Sequence, residues 1–572
     1  MDGRKNRKST VGLILMLTVI LVCQVSIVSC SKDDLETYPE YTGDEWKSSF
    51  GADESDEVTV NIYDTVDHTN LPGEAEYIEL ADEEDVYALG RILSLKASKA
   101  NFFGLEYDVN SDIDKFDLPD DVVDGDKVAY LASASYKLVN DITLTVQTGN
   151  DESFFVGIGS KDHPFEGIFN GNGKTVTLKS DGKISLDENI NHHIGLFGDA
   201  KDAEFFSTNV KIENDILISK CVDIVKFGAL AGSVSNCLIS DCNVTVSNAK
   251  AGVDFGKGET NVNRAFIGGL AGECEYSVIQ NSNVTLTDGT VYANGYLVDT
   301  EAWCANFSVG GILGFSCEGS DNIENIGKIG NKLLNCKVKA TASQQKDVIY
   351  ASIESGDEVD VGGLVGCTYN NFVAQNCSVE IINGNIVAEK RGEADNAQGG
   401  TNVGGVIGRL EHTGELYRCD VLGNNLNIIS KSPENYSSAG GIVGWDMGPY
   451  HRDVISINAC SFDGGGTSKI ISDISEDNTK DIWNITGGIV GFGTYQIKDC
   501  NVKDVTLENR SDKVARCYVG GICGIFCNKS GFWTNNEFFT AGTPQIINCK
   551  SSKLTFNTTS NVKTNEQYPA TK

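Results

Sequence analysis

A glycine-flanked apolar pair recurs along this chain inside stretches that otherwise read as β-strand. "FGALAG" ends at Gly232, "IGGLAG" at Gly272, "VGGILG" at Gly314 and "VGGLVG" at Gly366. "VGGVIG" at Gly408, "AGGIVG" at Gly444, "TGGIVG" at Gly491 and "VGGICG" at Gly524 follow, and a weaker "IGLFG" at Gly198 precedes them. Glycine weakens a strand interior, so its return at matched places asks for a structural reason. The spacing varies from 33 residues (Gly491 to Gly524) to 52 (Gly314 to Gly366). A self-similar unit of that size is the mark of a stacked-repeat architecture, in which each unit buries its apolar face only against its neighbours.

A second element follows the motif in most copies. It reads "NCLISDCNVTV" from Asn236, "NSNVTL" from Asn281, "NCKVKA" from Asn335, "NCSVEI" from Asn376, "RCDVLG" from Arg418, "DCNVKDVTL" from Asp499 and "NCKSSKLTF" from Asn548. Each alternates apolar and polar residues, the pattern of a half-buried strand. The 62 glycines stand beside only 8 prolines and 3 methionines in 572 residues, and no heptad pattern is present. These glycines are therefore not linker material, and a helical solenoid is unsuited to the sequence.

The first residues give an address. "MDGRKNRKSTVGLILMLTVILVCQVSIVSC" has a basic start, an apolar run from Val11 to Val22, and small residues before Cys30. That is a secretory signal, and "IVSC" resembles a bacterial lipobox, which implies lipidation of Cys30 and cleavage after residue 29. "CSKDDLE" resembles the acidic export tag of surface-exposed lipoproteins, which implies an outer-membrane, surface-exposed location. Residues 30–76 are acidic and poor in large aliphatics, a composition that cannot bury a core and reads as a tether. The formal net charge is −34; removing Arg4, Lys5, Arg7, Lys8 and Asp2 makes it −34 − 3 = −37. Such a chain repels nucleic acid, and its contact with a membrane is expected through the lipid anchor alone.

Residues 77–135 read as a cap and the first rungs. Asp82 can cap a helix whose first turn holds Glu83, Glu84 and Asp85, with Val86, Leu89, Ile92 and Leu93 on one face up to about Lys99. A solenoid leaves an open apolar end and an unpaired strand edge, and such a helix can cover them. Further on, "GNGKT" invites a phosphate-loop reading, but the place that needs the first glycine holds Ile168.

"YKLVNDI" from Tyr136, "FEGIFNGNGKTV" from Phe165 and the "GGLVG" repeats resemble the GLUG-motif family of bacterial surface proteins. The resemblance spans about Ile78 to Phe556 and implies an all-β, right-handed parallel β-helix of the pectin-lyase-like type with an N-terminal capping helix. The repeats occupy 136–556, and 557–572 form a polar tail without a capping helix. In that fold the glycines would serve corners that need positive φ or close backbone approach. The apolar pair, Leu364 and Val365 in one copy, would pack on its equivalents above and below.

Of 18 cysteines, Cys23 and Cys30 lie in the leader and the other 18 − 2 = 16 in the repeats. Cys242, Cys336, Cys377, Cys419, Cys460, Cys500 and Cys549 fall at one repeat position, with Ser282 at the same place in its copy. An exported protein suggests disulfides. Parallel rungs instead hold Cβ atoms about 4.8 Å apart with parallel vectors, whereas a disulfide needs about 3.8 Å and crossed geometry. A ladder of reduced thiols is the expectation. Cys517, Cys523 and Cys527 lack a zinc spacing.

Polysaccharide lyases and hydrolases use this fold with clustered carboxylates and basic groups, and no such cluster is visible in the repeat positions. None of the 6 histidines sits in a catalytic motif, and His192–His193 reads as a hydrophilic corner. Asp108, Asn110 and Asp112 resemble the start of a calcium loop, but Ile113 and Pro119 occupy the places that need glycine and a bidentate acid. Calcium is the one cofactor the sequence offers. Aromatics follow the last glycine of several motifs: Tyr276, Phe315, Tyr369, Trp445, Phe492 with Tyr495, and Phe526, while Trp533 lies in a long insertion. Aligned rungs would set them in a row that either covers the core or binds a ligand; Tyr369, Trp445, Phe492, Tyr495 and Trp533 are the ligand-binding candidates. The expected function is a surface-anchored, non-enzymatic binding or adhesion protein for glycan or host-surface protein. The alternative is a carbohydrate-active lyase or hydrolase.

Overall fold

The computed structural model describes residues 77–558 apart from internal stretches, the longest of which are 147–156, 297–305, 318–329 and 527–545. The signal, Cys30 and the tether lie outside the described residues.

The chain is a parallel β-helix. One turn shows the plan: Val225–Gly228 enters sheet 1, Ala231–Ser235 sheet 2, Leu238–Ser240 sheet 3, and Asn243–Ser247 with Lys250–Asp254 sheet 4, before Arg264–Gly268 starts the next turn in sheet 1. Sheets 1 and 2 have nine strands each, sheet 3 twelve and sheet 4 sixteen. All strands in them pair in parallel. Val361, for example, registers with Val309 on one side and Val403 on the other. Antiparallel pairing among the described strands is confined to a two-stranded ribbon, Lys99–Phe102 with Leu105–Asp108. No helix among the described residues is long and apolar enough to cross a membrane.

The repeated glycines answer to close approach alone. None of the motif glycines has positive φ. A Cβ on Gly363 would lie 1.9 Å from the carbonyl oxygen of Gly405, and one on Gly405 would lie 2.0 Å from that of Gly441. These glycines form a column at the corner between sheets 1 and 2, where each rung seats its backbone on the next. Leu364 and Val365 are fully buried, as are their equivalents from Leu196 and Phe197 to Ile489 and Val490, while in the last copy Cys523 is partly exposed. Left-handed corners lie elsewhere, among them the residue before each cysteine of the column: Asp241, Asn335, Asn376, Arg418, Ala459, Asp499 and Asn548, with φ of 52–57°. Asn and Asp reach this region more readily than most residues. The Asn376 side chain donates to Asn335 Oδ1 at 3.4 Å and Asn335 to Asn281 Oδ1 at 3.2 Å, tying successive corners together.

At the N-terminal end, helix α1 (Glu83–Ser94) seals the barrel. Asp82 Oδ1 accepts from the backbone N–H groups of Glu84 and Asp85 at 3.0 and 3.2 Å, the expected cap. The helix is shorter than the apolar periodicity predicts, because Lys99 already belongs to a strand. Val86, Leu89 and Leu93 sit in the main core, the Tyr87 hydroxyl accepts from Thr145 N–H, and the Ser94 hydroxyl donates to the Gly157 carbonyl. Two short helices, α2 (Val109–Ile113) and α3 (Lys127–Ser133), complete the cap.

All fourteen described cysteines are free thiols. The ladder thiols from Cys242 to Cys500 are buried, and Ser282, also fully buried, takes the cysteine place in its rung.

Candidate functional site

Sheets 1 and 2 leave the glycine corner at an angle that brings their side chains together in a seam along the solenoid. On sheet 1 the column runs Lys226, Phe266, Ser308, Asp360, Asn402, Ser438, Ile485, Tyr518. On sheet 2 it runs Ser233, Glu273, Phe315, Cys367, Arg409, Trp445, Phe492, Ile525. Paired across the corner, these columns divide the seam into bands.

The first band is ionic. His193 Nδ1 lies 2.6 Å from Asp199 Oδ1. In the next rungs Lys226 pairs with Glu273 and reaches Ser233 Oγ at 3.4 Å, and Ser233 donates to Glu273 at 3.1 Å. Burial works against the Lys226 ammonium, yet the Glu273 carboxylate lifts its pKa above the usual lysine value. The Glu273 pair thus favours the charged form of Lys226. Phe266 and Phe315 then stack at 4.5 Å. A second polar band follows: Arg409 bridges Glu358 and Glu411, while Glu358 also accepts from Asn402 and the Tyr436 hydroxyl. The last band is apolar. Trp445, Ile485, Phe492 and Ile525 form a cluster separate from the main core, with Tyr436, Trp483 and Tyr518 around it.

The ion pairs of the seam have no local sequence signal: Lys226 and Glu273 are 47 residues apart, so only the register joins them. Of the histidine pair, His193 faces the Asp199 carboxylate.

The aromatic row is only partly realised. Phe315, Trp445 and Phe492 share a column, but Cys367 and Arg409 stand between them, and Ile525 rather than Phe526 continues it. Tyr276 occupies a left-handed corner at φ 46°, and Tyr369 registers with Glu411. Trp445 stacks on Phe492 at 4.2 Å and packs on Tyr436 at 4.5 Å, so these ring faces are turned on one another and Trp445 is only 8% exposed. Tyr495 and Trp533 lie outside the described residues.

The three calcium candidates fall in the cap. Asp112 is buried in α2, where Arg91 donates to both its carboxylate oxygens at 2.8 and 2.7 Å. Asn110 is exposed and Asp108 ends a strand. Among the described residues no group of three or more His, Cys, Asp or Glu side chains converges to hold a metal ion.

Sheet 4 offers a different surface. One register column there runs Thr177, Lys211, Thr245, Thr285, Lys339, Glu380, Leu422, Asp463, Lys503. These residues alternate with buried ones such as Val244 and Val284 and line a flat, largely polar face. Asn283 donates to Asn243 at 2.9 Å and Asn243 to Asn209 at 3.2 Å, so the neighbouring column is an amide ladder. Lys503 pairs with Asp463 at 2.8 Å and Lys337 with Glu380 at 2.9 Å. At about 4.8 Å per rung, eight steps span about 38 Å.

No family model, curated protein or solved structure matches the chain.

Proposed function

We propose that this is a lipid-anchored protein of the GLUG type, displayed on the outer membrane through Cys30, and that it binds glycan or a host-surface protein without chemically changing it. The observation that carries the binding reading is the solvent-facing column of sheet 4, from Thr177 to Lys503, with side chains in fixed rows at rung spacing. A rigid, evenly spaced polar surface suits a ligand that is itself repetitive, so an extended polysaccharide is the first ligand class to test. The non-enzymatic part rests on the seam, where Lys226, Arg409, Glu358 and Glu273 are engaged by one another. Using them for acid–base chemistry would require breaking those partially buried pairs.

Glycan-array binding with Thr245→Arg/Thr285→Arg tests this. The double variant should lose at least about tenfold in affinity with unchanged melting. Unchanged binding in that variant, with loss in a seam variant such as Trp483→Ala, would move the site to the seam. The alternative lyase or hydrolase reading attaches to the His193–Asp199 pair, the arrangement that orients an imidazole for proton transfer. Turnover of any arrayed polysaccharide that disappears in His193→Gln would favour it over binding alone.

A further inference from the structure

Six consecutive rungs place a cysteine at one position: Cys336, Cys377, Cys419, Cys460, Cys500 and Cys549. Each follows a left-handed residue of nearly the same φ, from Asn335 at 55° to Asn548 at 52°. The backbone repeats as well, for Ser378 N–H donates to the Cys336 carbonyl at 3.0 Å, and Asp420 and Asn501 do the same one and three rungs on. The thiols therefore leave the backbone in the same direction, stacked at the rung spacing of about 4.8 Å. Thiols so placed do not reach disulfide geometry, and all six are free. They also meet backbone groups in a regular way: each thiol donates to the carbonyl two residues before it, from Cys336 to the Leu334 carbonyl at 3.3 Å to Cys549 to the Ile547 carbonyl at 3.3 Å.

We propose that this column binds soft, two-coordinate monovalent cations of the Cu(I) class, each between the sulfurs of neighbouring rungs. A zinc–thiolate bond is about 2.3 Å, and bonds from sulfur to a first-row ion are of that order. Two of them in line span about 4.6 Å, close to the rung spacing, and thiolates select Cu(I) over harder ions. Zinc is excluded by the same geometry, because it takes four ligands and no three converge among the described residues. Each ion displaces one proton; one sulfur binds as thiolate and its neighbour as thiol, so the buried site stays neutral. Six thiols make three pairs that share no sulfur. Cys549, on the last described rung, is the partly exposed member and the way in.

The natural Ser282 shows that serine fits this position, which gives a conservative test. The intact protein is titrated anaerobically with Cu(I) from a competing chelator, beside the variant Cys377→Ser/Cys460→Ser/Cys549→Ser, in which no neighbouring rungs of the column keep two thiols. The wild type should take up as many as three more ions than the variant, with one proton released per ion. X-ray absorption should show two sulfurs and no further ligand on the copper. Equal uptake by the two proteins, or three or more ligands per copper, overturns the proposal. If the triple variant does not fold, Cys460→Ser alone divides the column and should cost one ion; undiminished uptake there overturns it equally.

Discussion

The first and last rungs of this solenoid share a backbone plan but are filled with different chemistry. Near the N-terminus the interior is aromatic: Phe197 lies 5.0 Å from Phe165, 4.9 Å from Phe169 and 4.7 Å from Phe205, ring centre to ring centre. Toward the C-terminus the core stays apolar, with Ile428, Val443 and Phe462 fully buried, but hydroxyls and amides join it. Ser430, Thr401, Ser437 and Ser472 bond to one another, and Asn509 donates to the backbone carbonyls of Asn484 and Tyr518. The ends differ too. Helix α1 covers the first rungs, whereas the last described strand, Lys550–Thr558, is exposed along nearly all its length, with Phe556 49% exposed. The difference teaches that parallel ladders and the glycine corner set the rung, while the filler can be apolar or can include hydroxyls and amides bonded to one another.

The largest effect should come from the aromatic half. Phe197→Ala removes a fully buried ring from a four-ring cluster and should cost about 3–5 kcal/mol. In a solenoid, stability is close to a sum over neighbouring repeats, so hydrogen exchange should show the loss in the N-terminal rungs first. Uniform loss along the whole chain would break the comparison. Next comes the corner common to both halves. Gly405→Ala sets a methyl against the Gly441 carbonyl and should cost about 1–3 kcal/mol by thermal denaturation. The first full copy carries Ala229 at this place, so the same substitution made there in reverse should change little.

Much of this architecture is legible in the chain. The glycine period gives the rung, the alternation after each cysteine gives sheet 4, and Asp82 with its acidic successors gives α1. The reason for the glycines is only half legible, because close approach and positive φ look alike until the backbone is seen. The left-handed corners had a signal in the recurrent Asn or Asp before the cysteine, but Arg418 and Ala459 break it. The seam was not legible: Glu358 meets Arg409 and Tyr436 across 51 and 78 residues, and variable insertions erase the spacing that would have paired them. Ile525, not the aromatic next to it in sequence, registers with Phe492.

Two smaller effects sharpen the comparison from the polar half. Ser437→Ala deletes one hydroxyl, but Ser430 and Ser472 keep bonds to the Thr401 and Ser437 carbonyls, so the cost should be about 1 kcal/mol in denaturant unfolding. A cost near that of Phe197→Ala would mean that the hydroxyl network holds the C-terminal rungs as firmly as the rings hold the first. The smallest effect is one of pH. Burial pushes the Glu415 carboxyl from 4.5 up to about 7. Its folded form holds the proton more tightly, so its contribution is full below the unfolded value and declines as pH rises from about 4.5 to about 7. Glu415→Gln should flatten that part of the stability profile; an unchanged slope would show that Glu415 does not titrate there.

The central claim is that successive repeats are stacked in register at one constant spacing, and distances along sheet 4 test it most directly. Nitroxides carried on unnatural amino acids at Thr177 and Lys339, four rungs apart, and at Thr177 and Lys503, eight rungs apart, leave the native thiols untouched. Pulsed electron–electron resonance should give about 19 Å for the first pair and about 38 Å for the second, each as a narrow distribution and in a ratio near two. Broad distributions, or a second distance well short of twice the first, would contradict the stacked β-helix.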